Sequence, residues 1–151
     1  MRSVQEWLDE YAESHQNPTN KAIHWVCIPA ILLSVVSLLA AIPDPFVSEF
    51  LHWGTVFLLF LVICYVLLSW RLALGMLVIS AFLLMLTYIL EMLPLPLWLS
   101  ASIIFVLAWL GQFYGHKVEG KKPSFFKDLN FLLIGPLWLL AYLYRHIGIR
   151  Y

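Results

Sequence analysis

From Tyr11 to Pro29 the chain reads Y-A-E-S-H-Q-N-P-T-N-K-A-I-H-W-V-C-I-P, a polar island that turns apolar with His24 already inside the apolar part. Asn17-Pro18 reads as a helix start, with Asn as N-cap and Pro at the first helical position, where its missing N–H costs nothing. The apolar run that follows, about residues 22–42, has the roughly 20 residues that a membrane-spanning helix needs. His24 thus sits about one turn inside a span, with Asn20 four residues earlier on the same helix face. Polar groups inside membrane segments are costly and usually mark function. The plainer role for His24 is a structural hydrogen bond to a neighbouring carbonyl.

Upstream, Val4, Trp7, Leu8, Tyr11 and Ala12 recur at helical spacing, and His15 falls on the same stripe. An amphipathic interfacial helix is expected over residues 1–16. Glu6, Asp9, Glu10 and Glu13 fill its other face. These acids and the lack of an apolar core do not read as a cleavable signal, and an acidic face is not drawn to anionic lipid. The helix is therefore expected to dock on the protein's own rim through Trp7, Leu8 and Tyr11, with its acids near the Lys117–Lys127 loop.

Downstream, further apolar runs occupy about residues 52–70, 72–90, 95–114 and 129–147. The tight break at Trp70-Arg71 predicts an antiparallel hairpin. Gly135-Pro136 interrupts the last run, which is then either kinked or re-entrant. The expected fold class is all-α: a multi-pass transmembrane bundle of four to five spans, forming one integral membrane domain over 1–151. Composition agrees, since 62% of the residues are hydrophobic and 12% charged, against about 25% charged in ordinary soluble domains. The lipid bilayer is the implied surrounding. Nucleic acid is not an expected partner, because no basic tract with interleaved aromatics is present. Cys27 and Cys64 both lie in apolar runs and read as buried thiols.

A second polar island, Gln112 to Pro123, reads Q-F-Y-G-H-K-V-E-G-K-K-P and is expected to be a loop beyond the fourth span. If the first four runs cross, His15 and His116 emerge on one side. Arg2, Lys21, Arg71, Lys117, Lys121, Lys122 and Lys127 fall on that side too, which makes it cytoplasmic by the positive-inside rule. That would be the cytoplasmic face of a bacterial inner membrane or of the endoplasmic reticulum. Arg145 and Arg150 join it only if the last run is re-entrant.

His15, His24, His116 and Glu119 can therefore meet at one interface. Imidazoles and a carboxylate with open positions suit non-haem Fe(II), and also Zn. Taken singly, each has a plain alternative as an interfacial or solvated side chain. His52 lies on the opposite side and is left out, as is His146. No H-E-x-x-H, G-x-S-x-G or Gly-rich phosphate loop occurs. No internal repeat suggests a transporter. A non-catalytic lipid-binding or assembly protein remains the rival class.

At these residues the chain resembles the membrane-embedded Fe(II)-dependent 2-hydroxy fatty acid dioxygenases of fatty acid α-oxidation. Tyr11, His15, Asn17, Pro18, Asn20, His24 and Pro29 meet the pattern Y-x-x-x-H-x-N-P-x-N-x-x-x-H-x-x-x-x-P. Gln112, Phe113, Gly115, His116, Glu119 and Pro123 meet a second one, and Gly135-Pro136 matches a later small-residue-Pro break. The resemblance implies Fe(2+) as cofactor, with His15, His24 and His116 as its ligands and Glu119 as a further catalytic residue. It implies Tyr11, Asn20 and Gln112 as partners that orient those ligands, and Lys117, Lys121 and Lys122 as partners of the substrate carboxylate. The substrates would be a 2-hydroxy long-chain fatty acid and O2, the products the one-carbon-shorter acid and CO2. A homo-oligomer is compatible with it. The chain departs from some members in carrying Gln16 where they have a second histidine, and in a Glu119 one residue nearer to His116 than theirs.

Overall fold

Asn17 caps the second helix as its sequence demands, its side chain accepting a hydrogen bond from Thr19 N at 2.9 Å with Pro18 in the first turn. The structure, a computed structural model, describes residues 3–13, 15–46, 51–120 and 125–151, the side chains of 125–132 excepted. Six helices make up the described residues, with no strand among them: α1 Val4–Glu13, α2 Pro18–Ala40, α3 Trp53–Leu68, α4 Trp70–Glu91, α5 Leu97–Glu119 and α6 Phe125–His146.

Three helices, α2, α4 and α5, are long and apolar enough to cross a membrane. The run expected over 52–70 is trimmed at both ends. His52 caps α3 through Thr55 N, and Ser69 adopts an extended backbone that separates α3 from α4. The 16 residues left rise about 24 Å, short of a hydrocarbon core of about 30 Å. The single-residue link makes α3 and α4 the expected hairpin.

Lipid tails are as apolar as leucine, so association of these helices rests on close fit more than on water exclusion. The closest fit is α2 against α5. A Cβ on Gly111 would stand 2.6 Å from Cys27 Sγ, and one on Gly115 would collide with Asn20 Oδ1. Gly111-x-x-x-Gly115 is thus a small-residue stripe facing α2, a spacing that the sequence displays and that hydropathy alone passes over.

The second polar island differs from the expected loop. Helix α5 continues through His116 and ends only at Gly120, whose φ of 73° is left-handed and suits glycine. The last run also resolves. Tyr65 Oη donates to Leu133 O at 2.7 Å, and Tyr144 Oη donates to Arg71 O at 2.9 Å. Leu133 and Tyr144 of α6 are therefore both tied to the end of the α3–α4 hairpin. An Arg71 hydrogen bond to Arg150 O at 2.8 Å places Arg150 on that same side, where Arg145 reaches Gln5 of α1.

Helix α1 docks as its stripe predicts, with Leu8 and Tyr11 buried. Leu8 joins a core with Leu137 and Leu140 of α6, while Trp7 packs beside Tyr11, Ile28 and Ile134. Glu6 bonds within the first turn of α1 and Asp9 bonds to Gln5. Most of the basic loop expected opposite those acids lies outside the described residues.

Candidate metal centre

Three elements deliver three histidines to one point. His15 follows the end of α1, His24 sits in the second turn of α2, and His116 lies in the last turn of α5. Their nearest ring nitrogens all lie within 4.8 Å of one another, and all three residues are buried. Ring centroids stand 4.3 Å apart for His15 and His24, 5.2 Å for His24 and His116, and 5.6 Å for His15 and His116.

The hydrogen bonds decide which nitrogen carries each proton. His15 Nδ1 meets Tyr11 O at 2.7 Å, and His24 Nδ1 meets Asn20 O at 2.9 Å. A carbonyl oxygen only accepts, so each Nδ1 carries a proton and donates it. The two Nε2 atoms lie 2.9 Å apart, within hydrogen-bond distance. At that distance a shared proton or a metal ion can lie between them. A shared proton would serve this pair alone, whereas His116 turns a third imidazole to the same place. Two nitrogens each about 2.1 Å from one ion and at right angles stand about 3.0 Å apart. The donor set therefore fits a transition metal, with each Nδ1 held by a carbonyl as metal-binding histidines require.

The surrounding residues divide clearly. Tyr11 stacks on His15 at 4.1 Å and 11°, and Gln112 lines the cavity beneath the rings with Trp109, Ile28, Leu32 and Pro136. That cavity measures about 40 Å³. Asn20 is fully buried and holds His24 through its carbonyl while its Nδ2 donates to Glu119 at 2.9 Å.

Glu119 itself is not brought into the cluster. Its Oε1 accepts from Gln16 N at 2.8 Å, and its Oε2 accepts from Asn17 N at 3.0 Å as well as from Asn20. The carboxylate clamps the α1–α2 link onto the end of α5. The Gln16 side chain turns away to Ala12 O at 2.6 Å, so the trio forms without a donor from that position. Lys117 is exposed, and Lys121 and Lys122 lie outside the described residues. His52 caps α3 and His146 stacks on Tyr142 at 5.2 Å, so neither joins the cluster.

The family model described as 2-hydroxy-palmitic acid dioxygenase Mpo1-like matches residues 1–147. The chain belongs to this family. The match takes in both histidine islands and all six helices, α6 included up to its last residue. No curated protein and no solved structure matches the chain.

Proposed function

We propose that this protein is an iron-dependent dioxygenase that converts a 2-hydroxy long-chain fatty acid and O2 to the one-carbon-shorter acid, CO2 and water. The observation that carries this reading is the convergence of three buried imidazoles, with His15 Nε2 and His24 Nε2 2.9 Å apart and His116 beside them. The membership in a family described as dioxygenases supplies the reaction class.

The reaction R–CHOH–COOH + O2 → R–COOH + CO2 + H2O balances without a further reductant. The α-carbon loses three electrons and the carboxyl carbon one, and these four reduce O2 to the level of water. Iron bound by the three histidines would supply the activation that O2 needs to react with a closed-shell acid. The protein's share is orientation and exclusion of water. The carbonyls of Tyr11 and Asn20 fix the imidazole planes, and the stacked Tyr11 ring covers His15. Three neutral imidazoles leave a divalent ion's charge uncompensated in a buried place, which favours an anionic substrate head there. Gln112 is placed to hydrogen-bond that head, with Lys117 on the outer surface along its approach and Lys121 and Lys122 next in the chain.

We place the histidine end in the cytoplasm. Lys21, Arg71 and Lys117 belong to that end, and the bond from Arg71 to Arg150 draws the C-terminal arginines there as well. The test is elemental analysis of purified protein together with O2 consumption on a 2-hydroxy long-chain acid. Stoichiometric iron with equimolar loss of O2 and acid is expected. Metal-free protein that still binds lipid would instead favour the non-catalytic reading.

A further inference from the structure

The cavity of about 40 Å³ beneath the histidines has room for only a few waters, each needing about 10–15 Å³ by the same measure. It cannot contain a long acyl chain. Its lower wall, formed by Ile28, Leu32 and Pro136, is also the upper wall of a second cavity of about 300 Å³ between α2, α4 and α6. Among the described residues, no charged or hydroxyl-bearing side chain lines that groove. Two helix-interior prolines, Pro29 of α2 and Pro136 of α6, face into it. A proline ring displaces the preceding turn of its own helix, which accounts for a gap at this place. Phe82 and Leu143, 55% and 45% exposed, form a rim toward the bilayer.

Resting on the proposed dioxygenase function, we infer that this groove binds the acyl tail of the substrate, and that Leu83 and Leu86 at its far end set the preferred chain length. The head lies at the histidines and the tail passes between Ile28, Leu32 and Pro136. Register gives the depth. Ser37 Oγ and Thr87 Oγ1 are 2.9 Å apart, so Leu86 lies level with the part of α2 that is 13 residues past His24, or about 20 Å along the axis. A groove of about 300 Å³ has room for on the order of ten or more methylene groups, a water needing about 10–15 Å³ by the same measure. The exposed rim lets a tail enter sideways from the bilayer without its head crossing the apolar interior.

The test uses iron-loaded protein in nanodiscs and a 2-hydroxy acid carrying a diazirine at its tail end, with the unsubstituted acid as comparison. Photolabelling is expected within Ile79–Leu86 and Leu139–Leu143. Affinity across a graded chain-length series should rise up to about fourfold per methylene and then level off. Leu86→Trp should bring the levelling to shorter chains, Leu83→Ala should move it to longer ones, and the lipid-facing Val78→Trp should not move it. Label confined to the outward faces of α3 or α5, or a length profile unchanged in both groove variants, overturns the assignment. Groove labelling with no preference for the 2-hydroxy head would leave the groove in place and overturn the dioxygenase reading instead.

Discussion

His15 Nε2 and His24 Nε2 lie 2.9 Å apart, while each ring's Nδ1 is bound to the carbonyl four residues before it. Neither ring can turn away without breaking that bond, so the close approach of the two Nε2 atoms is built into the fold. Metal should therefore stabilise the protein, by about 2.7 kcal/mol at a concentration a hundred times its Kd. Melting with and without Fe(II) under anaerobic conditions should show a rise for the wild type and none for His24→Ala. In the metal-free state His24→Ala should melt close to wild type, since alanine suits a helix. A variant that keeps stoichiometric iron would sink the metal assignment.

Glu119 separates clamping from ligation. Glu119→Gln keeps one carbonyl acceptor but loses the charge shared among Gln16 N, Asn17 N and Asn20 Nδ2. Hydrogen bonds to charged groups contribute about 1.5–3 kcal/mol each, so a loss of about 1–3 kcal/mol in stability is expected. Metal affinity should fall by about 10–100-fold, as for other residues that orient ligands, and the metal's electronic spectrum should not change. Abolished binding or an altered spectrum would make Glu119 a ligand.

The placement of His24 was legible in the sequence because Asn17-Pro18 and the depth of His24 are local signals. Parity rested on four crossings, whereas three described helices are long and apolar enough to cross. The helical state of His116 and Glu119 was not legible. Q-F-Y-G-H-K-V-E-G-K-K-P is as polar as a loop, and its helicity depends on Gly115 lying against Asn20 and on Glu119 bonding the α1–α2 link. The path of α6 was equally hidden. Gly135-Pro136 suits a kink or a re-entrant turn alike, and the contacts that position α6, Tyr65 to Leu133 O and Tyr144 to Arg71 O, join residues far apart in sequence. The apolar groove has no local signature, since its lining comes from three helices distant in sequence.

That path predicts a labelling pattern. In a background with Cys27 and Cys64 replaced, Arg71→Cys and Arg150→Cys should react with an impermeant maleimide from the same face of sealed vesicles. Met92→Cys, 72% exposed at the other end of α4, should react from the opposite face. Reaction of residues 71 and 150 from opposite faces would mean that α6 crosses the membrane.

The α2–α5 contact yields a double-mutant test. A Cβ on Gly111 would meet Cys27 Sγ at 2.6 Å, with Ile23 Cγ2 next at 3.9 Å, so the sulfur is its main obstacle. Gly111→Ala alone should force α2 and α5 apart, costing about 1–3 kcal/mol as overpacking does. It should also weaken metal binding, because those helices carry His24 and His116. Cys27→Ala alone removes one buried sulfur and should cost less. Together the two changes exchange one small group for another at the same point, and stability and metal affinity should recover most of the way. A coupling energy of about 0.5–3 kcal/mol favouring the double variant is expected from thermal melts and metal titration. Strict additivity would show that the spacing of α2 and α5 does not depend on the Gly111–Cys27 contact.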